Sequence, residues 1–399
     1  MAKALLFNLP AHGHINPSLP LTEELIRRGE TVVYCTTESE RAKVVPTGAE
    51  FLPLPYDLAS FSKAPRSPEV DVLLFGCALE CLPWLIEQAR ALKPDYVIHD
   101  FVCLWGKIVA EQLGVPRIGM YPNPVPDASS LPPDFIFKMI DTLLPKGRQA
   151  KRMREELAAR YRRPPDSLID YLTRDHGDLA IILTSDVFQP NRAAFGPKYK
   201  YVGPTLPKVP FIPPFPFEKI AGKKVIYISL GTVYGENRGF FQKCMRAFGK
   251  TGYTIVISTG NALEPESFPD VPPNFIIRKF VPQSEILERS CLFITHGGMN
   301  SIHGGIYYGV PMIVMPQGIG TDQLGNARTV ERKGTGVCFT NKLFRPATLL
   351  RTVEKLLSDP GLPARLKAWR DEFHLANGAI TGATEIIEFT RSLGLPKNS

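Results

Sequence analysis

The chain has 399 residues, 44% of them hydrophobic and 22% charged; that is too long for one core, and two domains of roughly 200 residues each are predicted. No apolar run approaches the ~18–20 residues of a membrane span, and the short apolar N-terminus leads directly into a motif, so it is read as a first strand and not as a signal peptide. The formal net charge of +8 invites a nucleic-acid partner, but much of the excess sits in residues 146–163, which also carry Glu155 and Glu156 and read as a solvated helix face; no aromatic-and-basic signature or zinc-finger spacing accompanies it, which disfavours nucleic acid.

In chain order, residues 4–8 form a short apolar strand, followed by Pro10-Ala11-His12-Gly13-His14-Ile15-Asn16-Pro17. Asn16 is the expected N-cap of a helix with Pro17 at its first position, running to Arg28 before Gly29. Residues 31–37 are the second strand, and strand, loop, helix, strand opens a Rossmann-like parallel sheet. The alternation continues: strand 50–54, helix 70–92, strand 95–99 ending at Asp100, helix 104–113 and strand 115–121. Residues 122–176 break it with prolines and apolar side chains, and strands 180–185 and 199–202 close the first half. Residues 203–222 are dense in proline and read as a stiff connector that excludes helix and sheet. A second alternation follows: strand 225–230, helix 238–250, and strands 254–258 and 275–280. Helices near 346–358, 362–375 and 381–392 finish the chain. The seven cysteines are odd in number, lie mostly in apolar runs and show no Cys-x-x-Cys, which favours reduced thiols and a cytoplasmic home over metal ligation.

The most informative stretch is 281–326. An apolar run at 292–295 stops at His296-Gly297-Gly298, a helix starts near Asn300-Ser301, a second buried strand spans 310–315, and a polar loop with Asp322 and Gln323 follows. A strand that breaks at glycines and opens a helix presents N–H groups at the positive end of the helix dipole, a seat for phosphate.

Several elements in fixed order carry a resemblance: Val281-Pro282-Gln283, His296-x-Gly298-x-Asn300-Ser301, Gly309-Val310-Pro311, and Asp322-Gln323-x-x-Asn326. This pattern is similar to the donor-binding signature of the GT-B, family-1 nucleotide-sugar-dependent glycosyltransferases, the type that includes bacterial macrolide and flavonoid and plant secondary-metabolite enzymes. The resemblance implies two Rossmann-like domains facing a cleft: an acceptor-binding domain over 1–204, a linker over 205–222, a nucleotide-sugar domain over 223–380, and a last helix over 381–399 that returns to the first domain. It also implies an enzyme that moves a hexose, glucose above all, from a UDP-sugar to a hydroxyl of an apolar small molecule, with inversion.

The same resemblance assigns roles. His14, in Gly13-His14-x-Asn16-Pro17, matches the family's catalytic base, and Asp100 matches its partner aspartate. A histidine suits proton removal from a hydroxyl near neutral pH, and a buried carboxylate on its other nitrogen fixes the tautomer. His12 is the decoy two residues away, and an N-cap role for Asp100 on the next helix is compatible with the catalytic one. On the donor side, His296, Gly298, Asn300 and Ser301 match the diphosphate contacts, Ser229 and Thr232 a second phosphate- and sugar-facing loop, Val281 and Gln283 the nucleobase wall, and Asp322 and Gln323 the pair that reads sugar hydroxyls. Phe101, Ile136, Phe137 and Ile140 are the candidate acceptor walls. No cofactor or metal is expected beyond the UDP-sugar co-substrate, because the helix N-terminus and His296 meet the leaving group's charge. Two departures stand out: family members commonly carry a ribose-gripping Glu where this chain has Gly304, which leaves His303 or another group to substitute, and the loop from Pro316 to Asp322 is about two residues longer than in the plant pattern. Two other readings stay open, a non-catalytic nucleotide-sugar-binding protein and a nucleotide-sugar epimerase of the same architecture.

Overall fold

The structure is a computed structural model that describes residues 2–58, 68–127, 143–174, 176–206, 214–231, 237–260, 263–317, 322–341 and 343–395. Its contacts divide the chain into two compact units: residues 1–207 with 376–399, and residues 208–375. The return to the first unit thus begins at Ala376, earlier than the expected 381.

The first unit is built on a seven-stranded sheet in the order β3-β2-β1-β4-β5-β6-β7: β1 (Lys3–Phe7), β2 (Thr31–Thr36), β3 (Glu50–Pro53), β4 (Tyr96–Asp100), β5 (Arg117–Tyr121), β6 (Leu179–Ile182) and β7 (Tyr199–Tyr201). Every pairing is parallel. Helices cover both faces, so the central strands β1 and β4 are apolar runs with little alternation, as a doubly covered sheet demands. On one face α1 (His12–Arg27) packs; on the other lie α2 (Glu69–Leu92), α3 (Leu104–Leu113) and α4 (Pro145–Tyr161). The basic stretch at 146–163 is a helix as expected. Helix α3 sits so close to the sheet that a Cβ at Gly106 would lie 2.8 Å from His99 Cβ and 2.9 Å from Phe7, which is why a glycine stands there.

Helix α1 begins at His12 with Ala11 as N-cap, so Asn16 is not the cap and Pro17 lies inside the helix. His14 and Ile15 N–H both donate to Ala11 O at 2.9 Å; the first turn closes before the proline, whose missing donor is lost one turn in. His14 is therefore a first-turn helical residue and not part of a loop.

The second unit repeats the order in a six-stranded parallel sheet, β10-β9-β8-β11-β12-β13. Its strands are β8 (Lys224–Ser229), β9 (Tyr253–Ser258), β10 (Phe275–Arg278), β11 (Ser290–Thr295), β12 (Met312–Val314) and β13 (Gly336–Cys338). Its helices, continuing the numbering after α4, are α5 (Arg238–Phe248), α6 (Gln283–Glu288), α7 (Met299–Tyr307), α8 (Asp322–Arg332), α9 (Pro346–Leu357) and α10 (Leu362–Leu375). Asp322 opens a helix where a loop was expected, and Phe217–Lys219 form a 3₁₀ turn inside the stretch expected to exclude helix. Helix α11 (Gly378–Ser392) rejoins the first unit against α1. Arg28 donates to Thr384 Oγ1 at 2.7 Å and to Ile380 O at 3.2 Å, and Lys200 pairs with Glu385 at 3.0 Å. No helix among the described residues is long and apolar enough to cross a membrane, and all seven cysteines are free thiols.

Candidate active site

Each sheet reverses its strand order once, between β1 and β4 in the first unit and between β8 and β11 in the second. Beyond the carboxyl ends of such strands lies the usual ligand crevice of an open parallel sheet. His14 and Asp100 lie at the first of these places, and Ser229 and His296 at the second.

In the first unit, His14 follows β1 and Asp100 ends β4. His14 Nδ1 is 2.7 Å from Asp100 Oδ2, with side-chain exposures of 14% and 0%. A carboxylate can only accept, so the proton of the pair sits on Nδ1 and Nε2 is the basic nitrogen. Asp100 Oδ1 accepts from Val102 N–H at 3.0 Å, while Cys103 is the N-cap of α3; Asp100 shapes the turn and orients His14 without capping the helix. Asn8, just past β1, donates to His14 O at 3.2 Å, Ser18 Oγ at 2.9 Å and Tyr34 Oη at 2.7 Å. This buried knot anchors the first turn, and sequence reasoning missed it; the only hint was a polar residue ending an apolar strand. His12 is exposed, with Lys43 Nζ 3.1 Å from its Nδ1. Phe101 stacks on His14 with ring centroids 5.7 Å apart and planes 14° apart. Ile136, Phe137 and Ile140 lie outside the described residues.

In the second unit, Ser229 ends β8 and is paired with Thr295 at the end of β11, directly before His296. The His296 ring is wedged between two glycines. A Cβ at Gly231 would lie 2.6 Å from its Cε1, and one at Gly298 2.5 Å from its Nε2. Gly231 and Gly297 adopt φ of 75° and 92°, a region that favours glycine. Burial pushes the His296 pKa down to about 4 against the opposing pull of a hydrogen bond to the Ser229 main chain, so the ring is neutral near pH 7. Gly298 is the N-cap of α7 and offers no side-chain cap, which leaves the helix start to main-chain N–H groups and to the dipole. Ser301 N–H is taken by Gly298 O at 2.9 Å, so Ser301 has its side chain, 9% exposed as a residue, and not its amide to offer a ligand.

Asn326 braces this turn, donating to Gly297 O at 2.9 Å. Gln323, 4% exposed, accepts from Gln317 N–H at 2.9 Å through Oε1; it supports the preceding loop, while Asp322 is exposed. Tyr227 donates to Gln283 Oε1 at 3.3 Å, holding a half-buried glutamine beside half-buried Val281. Gly304 faces the same spot: a Cβ there would be 3.6 Å from Gln283 Nε2 and 2.9 Å from Leu287 Cδ1. His303 does not substitute for a ribose grip. It is 2% exposed and packs on Phe373 at 5.2 Å between ring centroids, turned to the core by its place one residue round the helix. Thr232 lies outside the described residues.

With this geometry in hand, comparison with known proteins is specific. The model of the "UDP-glucoronosyl and UDP-glucosyl transferase" family matches residues 216–363. The NDP-glycosyltransferase YjiC of Bacillus subtilis is 32% identical over 98% of both chains, and the uncharacterized UDP-glucosyltransferase YojK of the same organism is 30% identical over 97% of both. Among solved structures, the glycotransferase of kitacinnamycin superposes with a TM-score of 0.82 at 26% identity, covering 98% of this chain and 99% of that one. The chain belongs to the family-1 glycosyltransferases of GT-B fold, enzymes that use a UDP-sugar.

Proposed function

We propose that the enzyme transfers a hexose, glucose in the first instance, from UDP to a hydroxyl of an apolar small molecule, with inversion at the anomeric carbon. His14 Nε2 removes the hydroxyl proton, and Asp100 holds the ring and offsets the charge that develops on it. The oxygen attacks the anomeric carbon from the face opposite the leaving UDP. The observation that carries this reading is the 2.7 Å His14–Asp100 pair at the strand reversal of the first unit, the unit we assign to the acceptor.

The second unit takes the donor. Neutral His296 and the start of α7 meet the diphosphate and stabilise its charge as the bond breaks; Val281 and Gln283 flank the base, and Asp322 reaches the sugar. This reading requires no added divalent metal and sets the reaction in the cytoplasm, in keeping with seven unpaired thiols. The acceptor class is inferred from the resemblance to the family's macrolide and flavonoid glycosyltransferases.

The test is a matrix of a flavonol, a macrolide and a simple phenol against UDP-glucose, UDP-N-acetylglucosamine, UDP-galactose and dTDP-glucose, read by mass spectrometry with and without EDTA. A product heavier by one hexose in the UDP-glucose wells, unchanged by EDTA, supports the proposal. Loss of product with EDTA overturns its metal independence, and conversion of donor to its epimer without acceptor overturns transfer itself.

A further inference from the structure

A hydrogen bond fixes the distance between two groups but only weakly the rotation of a ring about it. Taken alone, the His14–Asp100 bond does little to oppose a swing of the imidazole plane that would carry Nε2 off the line to an incoming hydroxyl. The structure supplies a second restraint. Phe101, the residue directly after Asp100, lays its ring parallel to the imidazole at 5.7 Å and 14°. Phe101 is itself held: its N–H donates to Met120 O at 3.1 Å, and its other neighbour is Tyr121, stacked at 5.3 Å and 27°. Tyr121 in turn lies over Gly119, where a Cβ would come within 2.9 Å of the Tyr121 ring. The sheet thus buttresses a row of three rings that ends at His14.

We propose that Phe101 is a positioning residue that acts through His14 rather than on the acceptor. It holds the imidazole plane, and its face favours the imidazolium that forms as the proton moves, since a cation within ~6 Å of an aromatic face is stabilised. An interaction that strengthens along the reaction raises kcat and leaves ground-state binding alone. This inference rests on His14 being the base, so its test must separate the two.

The experiment measures kcat, acceptor KM and UDP affinity for wild type, Phe101→Leu, Phe101→Met, Phe101→Tyr and His14→Ala, with two acceptors of different shape and with melting temperatures recorded. Leu and Met keep the apolar volume and remove the aromatic face; Tyr keeps the face. The expected result is a kcat lower by about fivefold in the Leu and Met variants, equal for both acceptors, with KM and UDP affinity unchanged and kcat restored in the Tyr variant. In the His14→Ala background the Leu change lowers residual transfer no further, because the two residues act as one unit. A higher KM at unchanged kcat, or factors that differ between acceptors, overturns the proposal by making Phe101 an acceptor wall. Wild-type kcat in Phe101→Leu overturns it as well. Full transfer in His14→Ala overturns the reading of the base itself, a separate failure.

Discussion

The two units set a histidine at the same topological feature and treat it in opposite ways. In the first, the histidine follows the first strand of the pair that flanks the reversal, and an acid ends the second. That histidine has a carboxylate at 2.7 Å and a ring stacked on it. In the second unit the order is exchanged: a serine ends β8 and the histidine follows β11. His296 is packed between Gly231 and Gly298, with burial pushing its pKa down to about 4. In the proposed mechanism the first ring takes up the hydroxyl proton, and the second stays neutral and donates to the diphosphate. On that reading the same fold serves two chemistries according to what fills the space around the imidazole.

This contrast is open to direct attack. The largest effect is expected from His14→Ala, which should lower turnover by about 10³–10⁴-fold while UDP affinity, measured by calorimetry, stays within error; His296→Ala should do the reverse and weaken UDP binding. Equal loss of both functions in either variant would erase the distinction. Asp100→Asn comes next. It keeps the shape but presents a group that can donate as well as accept, so turnover should fall by roughly 10²–10³-fold, somewhat less than for loss of the base itself. Steady-state kinetics with a stable phenol acceptor check this.

Gly298→Ala is smaller. Its Cβ would meet the His296 ring at 2.5 Å, and overpacking of this kind costs about 1–3 kcal/mol. Thermal melts should show the loss, and UDP affinity should fall with it while acceptor KM is unmoved. A last expectation, read over a range of pH, is acid sensitivity. His99 and His296 have pKa values pushed down to about 4 and His303 to about 3, each chiefly by burial. As folded pKa values lie below the ordinary 6.5, the unfolded chain takes up protons first as pH falls. Their stabilisation is therefore full above about pH 6.5 and is lost toward pH 4, at up to about 1.4 kcal/mol per pH unit for each proton. Two of the three lie in the second unit, so urea unfolding between pH 7.5 and 5 should weaken it before the first. Earlier acid loss of the first unit would contradict the assignment.

Much of the fold was legible because parallel strands covered on both faces are short apolar runs between helical segments. The helices at 104–113 and 362–375 match the expected residues. The misses have local causes. The start of α1 was displaced by the rule that Pro sits at the first helical position, whereas the chain closes a turn ahead of Pro17. Helix α8 has Gly325 and few apolar residues, so it read as loop, and β13 is three residues long, too short to register as a pattern. At the site, the pairing of His14 with Asp100 came from resemblance, since 86 positions separate them and no local signal links them. The need for Gly231 and the orientation of His303 were invisible, because each depends on which atoms approach from another element.

The return of α11 to the first unit has a consequence for synthesis. Ala383, Ile386 and Ile387 share a buried cluster with Leu21 and Leu25 of α1, and Gly378 approaches so closely that a Cβ would meet Gly203 O at 2.4 Å. The helix that carries His14 is therefore covered by residues made after the whole second unit. At ~5–20 residues per second, roughly 10–40 seconds separate the emergence of residue 207 from that of the closing helix. During that interval the nascent first unit displays an apolar strip along α1. The first unit is thus closed only after the whole second unit has been made.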